Sequence, residues 1–267
     1  MEPAEGARAF AVAATAYDLF MGRYSLPLAS RFADAAGVQH GDRAVDVGCG
    51  PGALTSLLVD RLGVGAVAAC DPSPGFVADC AALCPGVQVL PGRAETIPFA
   101  DDEFDHALAQ LVFHFVSDPD AAARELARVV RPGGHVAACV WDFAAGMEML
   151  RAYWDAATSV DPDAPDEAQT LRFGGEGEIA ELFARAGLHD VTESTLEVSS
   201  SYADFDELWA GFEAGVGPAG AHCLSLAAPV REQVRTALHA RLGEPSGPFT
   251  LHAVARCATA TVPDTAQ

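Results

Sequence analysis

The chain has 267 residues, with 37 Asp and Glu against 16 cations and a formal net charge of -21, and every cation is Arg because the sequence contains no Lys. So acidic a chain repels polyanions, which excludes nucleic-acid binding by phosphate neutralisation and docking on anionic lipid. The missing lysines exclude Schiff-base chemistry and any P-loop lysine.

Half of the residues are apolar, enough for a sizeable core in one or two domains. In chain order, residues 5–20 and 26–36 read as helices separated by Met21-Gly22-Arg23-Tyr24-Ser25. Glu5 and Arg8 interrupt the apolar run that a signal peptide needs. Residues 43–141 then alternate short Val/Ala-rich runs with amphipathic stretches, the pattern of parallel strands joined by crossover helices. The strands fall at 43–47, 66–70, 87–90, 105–109 and 135–141. Between them lie helices at 53–61, 75–83 and 121–130, the last stopped by Pro132-Gly133-Gly134.

Beyond this doubly wound core, 147–159 and 178–186 read as helices, the second with Ile179, Leu182, Phe183 and Ala186 on one face. The Pro- and Asp-rich stretch 161–173 reads as an exposed loop. Residues 191–198 and 250–259 alternate as strands, with helices at 205–214 and 230–242 between them. The expected division is a helical lid over 1–37, a core over 38–145 and a C-terminal part over 146–267, packed as one compact unit. No run reaches the ~18 apolar residues of a membrane span. The seven scattered cysteines lack zinc spacing and read as buried thiols of a reducing cytoplasm.

Val45-Asp46-Val47-Gly48-Cys49-Gly50-Pro51-Gly52-Ala53 follows the first strand and opens a helix, where α/β sheets bind nucleotides. The glycines permit a sharp turn and close approach of a ligand. The same run satisfies the dinucleotide pattern, so an NAD(P) oxidoreductase is a rival. Against it, Asp46 would set a carboxylate beside a pyrophosphate but suits the ammonium of an amino-acid ligand, and Pro51 removes a backbone donor. Asp71, just past the second strand, suits ribose hydroxyls in either case. Arg93-Ala94-Glu95 and Gln110-Leu111 repeat the theme of polar residues at strand ends.

These residues, with Gly92–Phe99, Phe104–His114 and Arg124–Gly134, resemble in order the motifs of the S-adenosylmethionine-dependent methyltransferases of the Rossmann-like class. The likeness is to the small-molecule, ubiquinone/menaquinone-type branch (methyltransferase type 11). It implies an α/β fold with a doubly wound, seven-stranded, mostly parallel sheet, an N-terminal helical lid and a C-terminal helical insert. It further implies that Asp46, Gly48 and Gly50 face the methionine portion of S-adenosylmethionine and that Asp71 binds both ribose hydroxyls. Pro72 and Phe76 would border the adenine, Ala94 and Glu95 would meet its edge, and Gln110 and Leu111 would lie near the methionine end. Tyr17 and Arg23 would cover the cofactor from the lid, Arg23 pairing with its carboxylate.

The implied reaction moves a methyl group to an O, N or C atom of a small, apolar or aromatic acceptor, without a metal, in a monomer or homodimer. Positioning supplies most of the catalysis, and a base is needed only where the acceptor must lose a proton. His114, after the fourth strand, is the candidate base. Trp141, Trp154, Phe173 and Trp209 are candidates to roof the acceptor pocket, with His222 a second base candidate. The cluster Asp101, Asp102, Glu103 and Asp105 reads as a solvated turn. Besides the oxidoreductase, the rivals are a fold relative catalysing a non-methyl reaction such as cyclisation, and a non-catalytic binding module.

Overall fold

The structure is a computed structural model and describes residues 18–264. Strands β1 (Ala44–Val47) and β2 (Val67–Asp71) are buried at every position, as Ala/Val runs require when helices cover both sheet faces. With β3 (Gln88–Pro91), β4 (Phe104–Gln110), β5 (Val130–Trp141), β6 (His189–Tyr202) and β7 (Phe249–Thr261) they form one seven-stranded sheet in the order β3-β2-β1-β4-β5-β7-β6. Strands β1 to β5 pair in parallel, while β7 runs antiparallel to both β5 and β6. The order reverses between β1 and β4, so the crevice for a ligand opens at their C-terminal ends.

Ahead of β1 lies α1 (Arg23–Ala35). The crossovers are α2 (Ala53–Leu62), α3 (Pro74–Leu83) and α4 (Pro119–Val129). Helix α4 illustrates why they form. Asp118 caps it by accepting from Ala121 N–H at 2.9 Å, Pro119 occupies the first turn, and Ala122, Ala123, Leu126 and Val129 present one buried stripe. Such a cap contributes about 1 kcal/mol. The C-terminal part adds α5 (Glu148–Val160), α6 (Glu167–Thr170), α7 (Glu178–Arg185), α8 (Phe205–Glu213), α9 (Gly217–Ser225) and α10 (Ala228–Arg241). Apolar clusters lie on both sides of the sheet, one containing Phe32, Leu54 and Tyr153, the other Phe104, Leu126 and Phe183.

Several expectations need correction. Residues 21–25 do not break the lid: a π-helical turn, Asp18–Gly22, runs directly into α1. Burial of Tyr24, whose hydroxyl lies 3.0 Å from that of Tyr202, overrides the local glycine. Pro132-Gly133-Gly134 is not a stop but a bulge inside β5, where the pairing jumps from Phe104↔Val130 to His106↔His135. The stretch 161–173 is not an exposed loop. It contains α6, with Asp166 and Glu167 buried and Arg151 on Asp166 at 2.8 Å. Helix α9 was not anticipated, because glycine-rich sequence disfavours helix. Gly220 allows it to pack, since a Cβ there would lie 2.6 Å from the Gly215 carbonyl carbon. Of the helix expected over 5–20, residues 5–17 lie outside the described residues.

Among the described residues, no helix is long and apolar enough to cross a membrane. All seven cysteines are buried free thiols.

Candidate active site

The turn after β1 is built around glycines in left-handed backbone, with φ of 76° at Gly48, 52° at Gly50 and 106° at Gly52. A Cβ on Gly48 would sit 2.5 Å from Val112 Cγ2. The glycine turn therefore abuts the segment that follows β4. At Gly50 a Cβ would meet nothing within 4 Å, so this stretch of backbone faces open space.

Asp46 is 1% exposed. Its Oδ2 accepts from the Thr55 hydroxyl at 2.6 Å, while Oδ1 has no partner. Burial pushes its carboxyl up to about 7, the Thr55 hydrogen bond opposes this, and Asp71 adds to it. Asp71 accepts from Gly50 N–H at 3.0 Å and Ser73 N–H at 2.8 Å. Burial raises its carboxyl above the usual range against these two bonds. Each oxygen keeps a further lone pair. An orphaned buried carboxylate oxygen, an open cradle at Gly50 and an anchored aspartate fit the ammonium and ribose of S-adenosylmethionine.

Pro72 follows Asp71 directly, and Phe76, in the first turn of α3, is buried. Ala94 is buried as well. Glu95 is held within the chain. Its Oε1 accepts from Ser117 N–H at 3.0 Å, and its Oε2 lies 3.4 Å from Arg93 Nε. Burial alone would raise this carboxyl, but backbone N–H donors and Arg93 hold it below the usual range. Arg23 bonds Glu207 at 2.7 Å and the Ser201 carbonyl at 3.0 Å, with its guanidinium 3.9 Å from the Tyr202 ring centre. Its Nη2 is thus engaged within the chain. Tyr17 lies outside the described residues. Gln110 donates from Nε2 to the Ser25 carbonyl at 3.0 Å, tying β4 to α1, and its Oε1 is buried without a partner.

Past Gln110, Leu111 has φ 63°, a strained value for a non-glycine residue. It turns the chain into an apolar cleft of about 40 Å³, lined by Leu111, His114, Phe115, Trp141 and Phe143 together with Phe20, Met21, Leu150, Glu167 and the Gly217–Ala219 end of α9. His114 Nδ1 lies 2.6 Å from the Arg172 carbonyl, and the ring packs 4.5 Å from Phe143. Burial lowers its pKa to about 4 despite the carbonyls of Arg172 and Trp141. It is neutral at pH 7 and a weaker base than its type suggests.

Of the expected roof, only Trp141 lines the cleft. Trp154 stands behind it, its indole N–H donating to Glu167 Oε2 at 2.6 Å. Phe173 packs on Phe113 at 6.0 Å and Trp209 on Phe212 at 6.2 Å. His222 bonds the Tyr153 hydroxyl at 2.8 Å, away from the lining. Sequence reasoning missed Glu167, which is 3% exposed and whose carboxyl burial raises to about 7. A Pro/Asp-rich stretch carries no local signal of burial.

The strand order, with its terminal antiparallel pair, and the glycine turn at the switch point define the class: a Rossmann-like fold of the methyltransferase type. Residues 45–138 match the family described as Methyltransferase domain. An uncharacterized methyltransferase of Mycobacterium tuberculosis is 42% identical over 100 residues, 38% of this chain and 40% of the relative. A demethylmenaquinone methyltransferase of Beutenbergia cavernae is 37% identical over 103 residues, 39% of this chain and 42% of the relative. The chain thus matches about two fifths of the length of these relatives. Among solved structures, a proposed methyltransferase from an antibiotic biosynthesis pathway of Anabaena variabilis superposes with TM-score 0.63 at 17% identity, covering 88% of this chain and 97% of that one. At that identity the likeness speaks for the fold.

Proposed function

We propose that this protein transfers the methyl group of S-adenosylmethionine to an O, N or C atom of a small, apolar or aromatic metabolite. The observation that carries this reading is the close approach of Gly48 to Val112, where a Cβ on the glycine would lie 2.5 Å from Val112 Cγ2, because the neighbouring Leu111 and His114 of that segment line the apolar cleft. Cofactor and acceptor would then meet at the C-terminal ends of β1 and β4. When bound, S-adenosylmethionine supplies an already activated methyl on a sulfonium. What remains for the chain is to bind, align and exclude water.

In this reading Asp46, Gly48 and Gly50 hold the methionine end, with Gln110 and Leu111 alongside. Asp71 takes the ribose hydroxyls, Pro72 and Phe76 border the adenine, and Ala94 meets its edge. Leu111, Trp141 and Phe143 form dry walls for the acceptor. Ligand pockets generally span ~300–1,000 Å³, so a cleft of about 40 Å³ must widen, and the parts of its wall made by Phe20 and Met21 and by the Gly217–Ala219 end of α9 are where it would part.

Asp71→Ala tests the assignment. Removing a charge-assisted acceptor costs roughly 1.5–3 kcal/mol, so affinity for S-adenosylhomocysteine in calorimetry should fall about ten- to hundredfold while circular dichroism shows an intact fold. Unchanged affinity overturns the cofactor reading.

A further inference from the structure

The cleft is apolar apart from Glu167 and His114, and both present acceptors. His114 Nδ1 faces a carbonyl at 2.6 Å, which can only accept. The ring proton is therefore on Nδ1, and Nε2 carries a buried lone pair with no partner. Glu167 receives the Trp154 N–H on Oε2, and an ionised carboxylate has further acceptor positions and no donor. The remaining indole nearby is committed elsewhere, since Trp141 Nε1–H donates to Met21 Sδ at 3.2 Å. The wall thus combines acceptors with hydrocarbon and offers no free side-chain donor among the described lining residues.

Building on the methyl-transfer reading, we propose that Glu167 and His114 select a small ring compound that presents an O–H or N–H group to them. Such a ligand satisfies acceptors that an apolar molecule would leave unpaired in a dry site.

The charge on Glu167 depends on its surroundings. Asp166 beside it raises its carboxyl and the Trp154 indole from α5 lowers it. The Tyr153 hydroxyl is also electrostatically linked to it, Arg151 neutralises Asp166, and neutral His114 shares the cleft. The experiment is therefore set at pH 8.5, where the carboxylate form prevails.

Purified protein is first titrated with S-adenosylhomocysteine in a calorimeter, and the complex is then titrated with phenol and, separately, with methoxybenzene, its methyl ether. The expected result is that phenol binds about tenfold or more tightly than methoxybenzene. Glu167→Gln turns an N–H toward the cleft and should shrink that preference to about threefold or less, or reverse it, with S-adenosylhomocysteine affinity unchanged. Equal affinities for the two rings, absence of phenol binding, or a preference that survives Glu167→Gln overturns the selection by donors while leaving the cofactor reading intact. Failure of S-adenosylhomocysteine to bind overturns the methyl-transfer reading itself. The comparison in the unmodified protein stands even if the variant fails to fold.

Discussion

Asp46 sits at the end of β1 with one oxygen on Thr55 and the other unpaired, an arrangement that favours ligand over fold. Its carboxyl is raised from 3.8 to about 7, so the folded state prefers it protonated. The stability this contributes is full below about pH 4 and is lost as pH rises through about 7. A shift of this size corresponds to roughly 4 kcal/mol. Asp46→Asn keeps an acceptor for Thr55 and cannot ionise. Its thermal midpoint should therefore exceed that of the parent by several degrees at pH 8 and match it near pH 4, while S-adenosylhomocysteine affinity falls. A midpoint difference independent of pH would contradict the assignment. The positions of Asp46, Gly48, Gly50 and Asp71 in the fold were legible in sequence, because two strand ends and the turn after β1 carry them locally. The partners of Arg23 and Glu95 were not. Glu207 lies far along the chain from Arg23, and Ser117 reaches Glu95 only through the packing of two loops. His114 was legible as a position but not as a weak base, since its burial between Phe143 and the Arg172 carbonyl is tertiary.

At the scale of elements, the bulge opening β5 gives a test that separates fold from site. Gly134 is not in left-handed backbone, so its constraint is steric: a Cβ there would lie 2.5 Å from Val130 Cγ1 and 2.7 Å from the Asp105 carbonyl oxygen. The backbone atom cannot rotate away, so Gly134→Ala should destabilise by about 1–3 kcal/mol. This is the N-terminal end of β5, opposite the crevice. The variant should thus unfold at lower urea with unchanged S-adenosylhomocysteine affinity, and an affinity loss without destabilisation would refute this division. The core strands were readable because buried Ala/Val runs have few alternatives. Strand β6 was read too short, chiefly at its C-terminal end, since Ser199-Ser200-Ser201 carries no apolar alternation and gains strand form by pairing with β7 through Tyr202↔Phe249. Helix α9 and the burial of α6 depend on contacts that no local window contains.

Over the whole molecule, the charge of -21 remains after most arginines are consumed. Arg61 pairs with Asp34, Arg128 with Asp101 and Glu125, Arg151 with Asp155 and Asp166, and Arg256 with Asp142. The exposed ones, such as Arg61–Asp34 and Arg128–Asp101, contribute about 0–1 kcal/mol each, and salt weakens them. The surplus carboxylates repel one another over longer distances, and salt weakens that too. Which effect wins follows from range. Paired groups sit within 3.0 Å, well inside the ~10 Å screening length at 0.1 M, whereas repulsion among the surplus acids also acts over longer distances, where screening is strongest. Salt therefore removes the repulsion first, and net self-repulsion opposes the compact state. Raising sodium chloride from about 10 to about 150 mM in a scanning calorimeter, which shortens the screening length from roughly 30 to roughly 8 Å, should raise the thermal midpoint. Arginines freed by neutralising Asp101 and Asp34 as Asn should reduce the rise, because the surplus shrinks. A midpoint that falls with salt would mean that the ion pairs, not the excess acids, dominate the electrostatics of this fold.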